Sequence, residues 1–200
     1  MRRLLFVALV IVTVGCVPAP TRMVVVGDSH SVPADAWPSA IDCMDVANRS
    51  INGAGLGTAV YFPALVHRLD DALSGVGPGD LVVVALGAND FGGRTVAQMK
   101  ADKATVDAAI AGRGAASKWV TSPPISVAHP YRWYEPWYST MRARRDEWNA
   151  WLRYIGDHDI YAPLGSTLDP IEDSGDHVHL SPTARYMAGL EAKELMCPQP

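Results

Sequence analysis

Leu81 to Leu86 reads Leu-Val-Val-Val-Ala-Leu. The run is too short for a core helix and has no polar residue to face water. It is therefore expected to be a strand buried on both faces, as in a parallel sheet covered by helices on each side. Other segments fit the same frame. Met23 to Val26 is a short β-branched run that ends at Gly27, and Val46 to Ile51 is a weaker strand stopped by glycines. Lys118 to Thr121 is a fourth candidate, closed by Pro123-Pro124, and Ile160 to Ala162 a fifth. Between them lie helical patterns at Val60 to Leu73 and at Thr95 to Ala111. A third runs from a capping Ser139 to Ile155, with Met141, Trp148, Leu152 and Ile155 on one face. Ser181-Pro182 opens a last helix. Strands and helices taking turns predict an α/β fold with helices on both sides of a parallel sheet. In such folds ligands bind beyond the carboxyl ends of the strands.

The bulk properties narrow the function. Hydrophobic residues make up 48% of the 200 and charged residues 19%, with a formal charge of −4. That is the composition of a globular chain, and the mixed charge gives no basic surface for nucleic acid. Residues 1–20 stand apart. Met1-Arg2-Arg3 precedes an apolar run from Leu4 to Val14 that is shorter than the roughly 20 residues needed to span a bilayer. It reads as a secretory leader. Val14-Gly15-Cys16 is similar to a bacterial lipoprotein signal, so attachment through a lipidated Cys16 and plain secretion are both open, with an uncleaved anchor as the bland alternative. Residues 21–200 form the expected single domain. Without Cys16, Cys43 and Cys197 remain, and an exported chain with two cysteines favours a disulfide over two buried thiols.

The strand ends carry the polar residues. Gly27-Asp28-Ser29-His30 follows the first strand. Asn52-Gly53-Ala54-Gly55-Leu56-Gly57-Thr58 follows the second, and Gly87-Ala88-Asn89-Asp90 the third. Asp176-His177-Val178-His179 precedes the last helix. In order and spacing these blocks resemble the SGNH, or GDSL, family of esterases and lipases, over about residues 23 to 190. The resemblance implies a flavodoxin-like three-layer α/β/α sandwich with a five-stranded parallel sheet. In that topology Cys43 and Cys197 both fall at the end of the sheet opposite the active site, which makes their pairing reasonable.

It also implies roles. Ser29 is the expected nucleophile, His179 the base that takes its proton, and Asp176 the carboxylate that orients the imidazole. The oxyanion is expected to be held by the Ser29 N–H, the Asn89 side-chain amide and a glycine N–H. The spacing from Asn52 favours Gly57, with Gly55 as the alternative. Asp28 is expected to brace the turn and has no chemical role. His177 stands where the family often has glycine.

Other readings are weaker. His177 and His179 could begin a metal site, but no further His/Cys cluster accompanies them. The glycines at 53, 55 and 57 lack the dinucleotide-binding pattern. An α/β-hydrolase would need a G-x-S-x-G elbow, which the chain lacks. Four of six tryptophans fall in Tyr131 to Tyr154. Tyr131 to Tyr138 is expected to be a Pro-bounded loop whose aromatics line an acyl pocket, stack on a sugar, or pack on one another. Arg142, Arg144 and Arg145 are expected on a solvated helix face. The sequence thus predicts an exported serine esterase that acts on small-molecule or polysaccharide esters, without metal or organic cofactor, its oligomeric state unread. A cell-surface binding lipoprotein that keeps the fold without turnover is the rival.

Overall fold

A computed structural model describes residue 20 and residues 22–58, 62–125, 135–164 and 179–197. The leader, Cys16, Asp176 and His177 lie outside the described residues, as do Tyr131, Trp133 and Tyr134. Four parallel strands, β1 (Arg22–Gly27), β2 (Asp45–Asn48), β3 (Asp80–Ala85) and β4 (Ala116–Trp119), form a sheet of order β2-β1-β3-β4. The helices are α1 (Leu69–Ala72), α2 (Val96–Ala111), α3 (Glu135–Tyr154) and α4 (Pro182–Met196).

Alternation along the strands builds two cores. Val24, Val26, Val82 and Val84 point to one face, where Met99, Val106 and Ile110 of α2 and Trp148 and Leu152 of α3 cover them. Met23, Val25, Leu81 and Val83 point to the other face, beneath Ala184, Ala188 and Ala192 of α4 and the indole of Trp37. Each fully buried valine or leucine contributes about 1.5–3 kcal/mol relative to exposure. The three-layer α/β/α arrangement follows directly from this two-sided burial.

Local signals set several boundaries. Thr95 caps α2 through a reciprocal pair: the Gln98 N–H donates to Thr95 Oγ1 at 3.3 Å, and the Thr95 N–H donates to Gln98 Oε1 at 2.9 Å. Ser181 Oγ accepts from the Ala184 N–H, with Pro182 in the first turn of α4.

Three elements differ from the sequence expectation. The helix expected over Val60 to Leu73 is, within its described part, a short 3-10 turn at Leu65–His67 followed by the single turn α1. Pro63 holds the residue before it away from helical geometry. Helix α3 begins at Glu135 rather than at Ser139, because Pro136 is tolerated in a first turn. Ile155 falls after the helix and is 43% exposed, so it does not join the buried face. The expected strand at Ile160 to Ala162 is replaced by one parallel bridge, Val120 to His158, and a 3-10 turn at Ala162–Leu164. Beyond His158 the backbone turns on itself instead of pairing: the Ala162 N–H donates to the Asp159 carbonyl at 3.3 Å and the Leu164 N–H to the Tyr161 carbonyl at 3.1 Å. Four strands, rather than five, are therefore described.

A disulfide joins Cys43 to Cys197. It ties the segment before β2 to the residue after α4, across a sequence separation of 154. Closing so long a loop stabilises by roughly 5 kcal/mol through loss of chain entropy in the unfolded state.

Candidate active site

The strand order reverses direction between β1 and β3: the chain passes from β1 out to β2, then back across to β3. A crevice opens at such a switch point, beyond the carboxyl ends of the two strands. Ser29 follows β1 and Asn89 follows β3.

The turn that carries Ser29 is tightly held. The Ser31 N–H donates to the Asp28 carbonyl at 3.0 Å, and the His30 N–H donates to Asp28 Oδ1 at 3.0 Å. Trp37 Nε1 donates to Ser31 Oγ, and Asn48 Nδ2 to the Ser31 carbonyl. A Cβ on Gly27 would lie 2.6 Å from Ser31 Oγ, so only glycine lets the turn close so near the strand. Asp28 braces this turn, as its place in the sequence suggested. Ser29 itself is half-buried.

Asn89 and Asp90 organise the facing side. Asn89 Nδ2 donates to the Ala54 carbonyl at 2.9 Å, which ties the loop after β3 to the glycine-rich loop after β2. Asp90 is fully buried, and its carboxylate accepts three backbone N–H groups in a row: Leu56 at 2.8 Å, Gly57 at 2.9 Å and Thr58 at 2.8 Å. Sequence reasoning gave Asp90 no part. The available signal was an acid at a strand end, directly behind an apolar run that allows no water.

This arrangement bears on the expected glycine donor. The Gly57 N–H is spent on Asp90, and a Cβ there would meet the Arg94–Asp102 ion pair at 2.2–2.5 Å. Gly55 is held by a close backbone approach: its Cβ would lie 2.3 Å from the Thr58 carbonyl oxygen. Gly53, at φ +72°, makes the turn that presents the Ala54 carbonyl to Asn89.

Burial raises the pKa of both acids. Asp28 is pushed up to about 7, mainly by loss of water; the His30 N–H opposes the shift, and the nearby charge of Asp90 adds to it. Asp90 is also raised by burial, against the pull of its three backbone donors.

His179 lies just before α4, and its ring packs beside that of His30, with centroids 5.3 Å apart and planes tilted by 48°. The residue after Ser29 and the expected base therefore meet. Among the described residues, no three His, Cys, Asp or Glu side chains are grouped so as to hold a metal ion. None of the described helices is long and apolar enough to cross a membrane.

Ser29, His30 and Asn89 open onto a cleft of about 190 Å³. Among the described residues its other walls come from the segment after β4, with Pro123, Pro124 and Ile125, from Ala88, and from α3, with Trp137, Tyr138 and Met141. Of the aromatics expected in that loop, the described Trp137 and Tyr138 do line the cleft, and they do so from the first turn of α3. Trp148 is buried in the core, edge-on to Trp119 at 6.1 Å. The basic run is only in part a solvated face: Arg144 reaches inward to the Phe91 carbonyl.

The family model of the GDSL-like lipase/acylhydrolases matches residues 25–184. None of the curated proteins matches the chain. Several solved structures share its fold. An inhibitor-bound aryl esterase of M. smegmatis is 17% identical, with a TM-score of 0.65, and the match covers 88% of this chain and 98% of that one. A carbohydrate acetylesterase from Sinorhizobium meliloti is 18% identical, with a TM-score of 0.61 and coverages of 87% and 97%. A GDSL-like lipase from Bacteroides thetaiotaomicron is 16% identical, with a TM-score of 0.66 and coverages of 88% and 87%. At such identities the likeness is one of fold.

Proposed function

The chain belongs to the GDSL-like lipase/acylhydrolase family and is a carboxylic ester hydrolase, and from that premise we propose that it works as an exported serine esterase with Ser29, His179 and Asp176 as its triad. The observation that carries this reading is the shared cleft: Ser29 and Asn89 line it together, while His30, next to Ser29, packs on His179.

The chemistry runs in two halves. Ser29 Oγ bonds to the ester carbonyl carbon as its proton passes to the His179 imidazole, and Asp176 steadies the resulting cation. The carbonyl reforms, the bond to the alkoxy oxygen breaks, and the alcohol leaves with the proton held by His179. Water then repeats the sequence on the acyl-enzyme, releasing the carboxylic acid and restoring Ser29. The oxyanion is met by the Ser29 N–H and by the Asn89 amide. That amide has two N–H bonds, and only one is taken by Ala54. The third donor is a glycine N–H of the loop after β2; the Gly57 N–H already serves Asp90, which leaves Gly55, the alternative from the sequence, and Gly53 to supply it.

Export through the leader, with or without lipid on Cys16, is supported by the Cys43–Cys197 disulfide, which suits an oxidising compartment. The relatives of like fold named for aryl esters and carbohydrate acetates suggest substrates with small acyl groups or single rings. A fluorophosphonate probe tests the assignment: it should label wild-type protein at Ser29 and leave a folded Ser29→Ala variant unmarked. Labelling at another serine, or none, would overturn the triad.

A further inference from the structure

We propose that the cleft beside Ser29 is the acyl subsite, that it holds acyl groups of up to about six carbons, and that Trp137 and Met141 of α3 set that limit. This rests on the serine-esterase reading above and adds the substrate class to it.

Direction comes first. The leaving alcohol must take its proton from His179, so the alkoxy oxygen lies on the His179 side of Ser29. The oxyanion points to Asn89. The remaining substituent on the carbonyl carbon is the acyl chain, and it must leave Ser29 in a third direction. The sheet order gives that chain room past the Asn89 loop, since β4 and the segment after it lie beyond β3. The cleft runs this way, from Ser29 past Ala88 and Asn89 to Pro123, Pro124 and Ile125 after β4. His179 is not among the residues that line it.

Size and polarity come next. Among the described residues, the lining beyond Ser29, His30 and Asn89 is proline, isoleucine, alanine, methionine and the rings of Trp137 and Tyr138, whose indole N–H and phenol hydroxyl are its remaining polar groups. Such walls suit a hydrocarbon and offer little to a sugar's hydroxyls. The volume is about 190 Å³. An apolar cavity of about 150 Å³ takes one benzene, so this cleft holds roughly six carbons, as a short chain or a single ring. A longer chain has to displace the α3 wall or pass out over Trp137.

The wall is fixed rather than loose. Trp137 lies against the bare Cα of Gly92, where a Cβ would be 2.7 Å from its Cζ2, and Tyr138 meets it edge-on at 5.0 Å between centroids. Arg144, on the same helix, donates to the Phe91 carbonyl beside Gly92. The loop after β3 thus sets both Asn89 and the end of the acyl cleft.

The test is a kcat/KM profile over p-nitrophenyl acetate, butyrate, hexanoate, octanoate, decanoate and dodecanoate below their micelle concentrations. One methylene in a fitted apolar pocket is worth about tenfold or more, so the wild type should fall by roughly tenfold or more between hexanoate and decanoate. Met141→Ala and Trp137→Ala should each raise the decanoate-to-butyrate ratio by about tenfold. Trp137 is 46% exposed, so its truncation leaves the core untouched. A wild type that turns over dodecanoate as fast as butyrate overturns the acyl limit while leaving the esterase reading intact. So does a profile that neither variant changes. A protein that hydrolyses none of these esters, and whose Ser29 takes no fluorophosphonate, fails at the earlier step and takes this inference with it.

Discussion

The guanidinium of Arg144 donates to the main-chain carbonyl of Phe91 at 2.7 Å, binding α3 to the loop that carries Asn89 and Asp90. A helix wall of the cleft and the oxyanion amide are therefore one mechanical unit. Arg144→Met keeps most of the apolar stem and removes the bond. A hydrogen bond from a charged group is worth about 1.5–3 kcal/mol, so kcat/KM on a short ester should fall by about tenfold with a smaller loss of melting temperature. Steady-state kinetics beside thermal melts would check it, and Arg144→Lys should recover part of the loss.

Asp90 serves three amides at once, two of them on Oδ1 and the Leu56 N–H on Oδ2. Asp90→Asn should therefore set a side-chain N–H₂ against a backbone N–H. An unsatisfied buried donor costs about 1–3 kcal/mol. The variant should lose stability by that amount in urea titration and lose activity through a displaced Gly53–Thr58 loop.

Asn89→Ala removes the donor to the Ala54 carbonyl, so it should cost about 0.5–1.5 kcal/mol of stability, and it should act chiefly on the chemical step. Loss of one oxyanion donor lowers kcat by about 10²–10³-fold. If Asn89 only supported Ala54, KM and stability would change more than kcat.

Asp28 gives the fold a pH dependence. Its carboxyl sits at about 7 in the folded chain and near 3.8 when exposed. Between these values the folded state keeps a proton that the unfolded state has released, so its contribution to stability is complete below the lower value and is lost as pH rises towards 7. Asp28→Asn keeps an acceptor for the His30 N–H and cannot titrate. Denaturant midpoints measured across this range should slope downward in the wild type and flatten in the variant.

Reduction of the Cys43–Cys197 bond should lower the melting temperature by roughly 10 °C or more, given loop entropy of about 5 kcal/mol and a shift of about 2–4 °C per kcal/mol for a chain of this size. The double variant Cys43→Ser, Cys197→Ser should melt low with or without reductant.

What the sequence determined by itself was local or periodic. The run Leu81 to Leu86 could only be a strand covered on both faces, and Ser181-Pro182 marked the start of the last helix, because strand periodicity and helix capping are written in neighbouring residues. The blocks after the strands singled out Ser29 and Asn89 through their resemblance to the GDSL family, and a parallel sheet brings such strand ends to one edge. The tertiary structure decided what depends on residues far apart in the chain. Asp90 claims the Gly57 N–H from a distance of 33 residues, and Arg144 claims the Phe91 carbonyl from 53. The fifth strand shrank to one bridge because the N–H groups after His158 are taken by local turns, and the length of the cleft was set only when α3 met Gly92. Such outcomes turn on which buried polar group finds a partner and which side chain fills a gap, and a linear pattern carries neither.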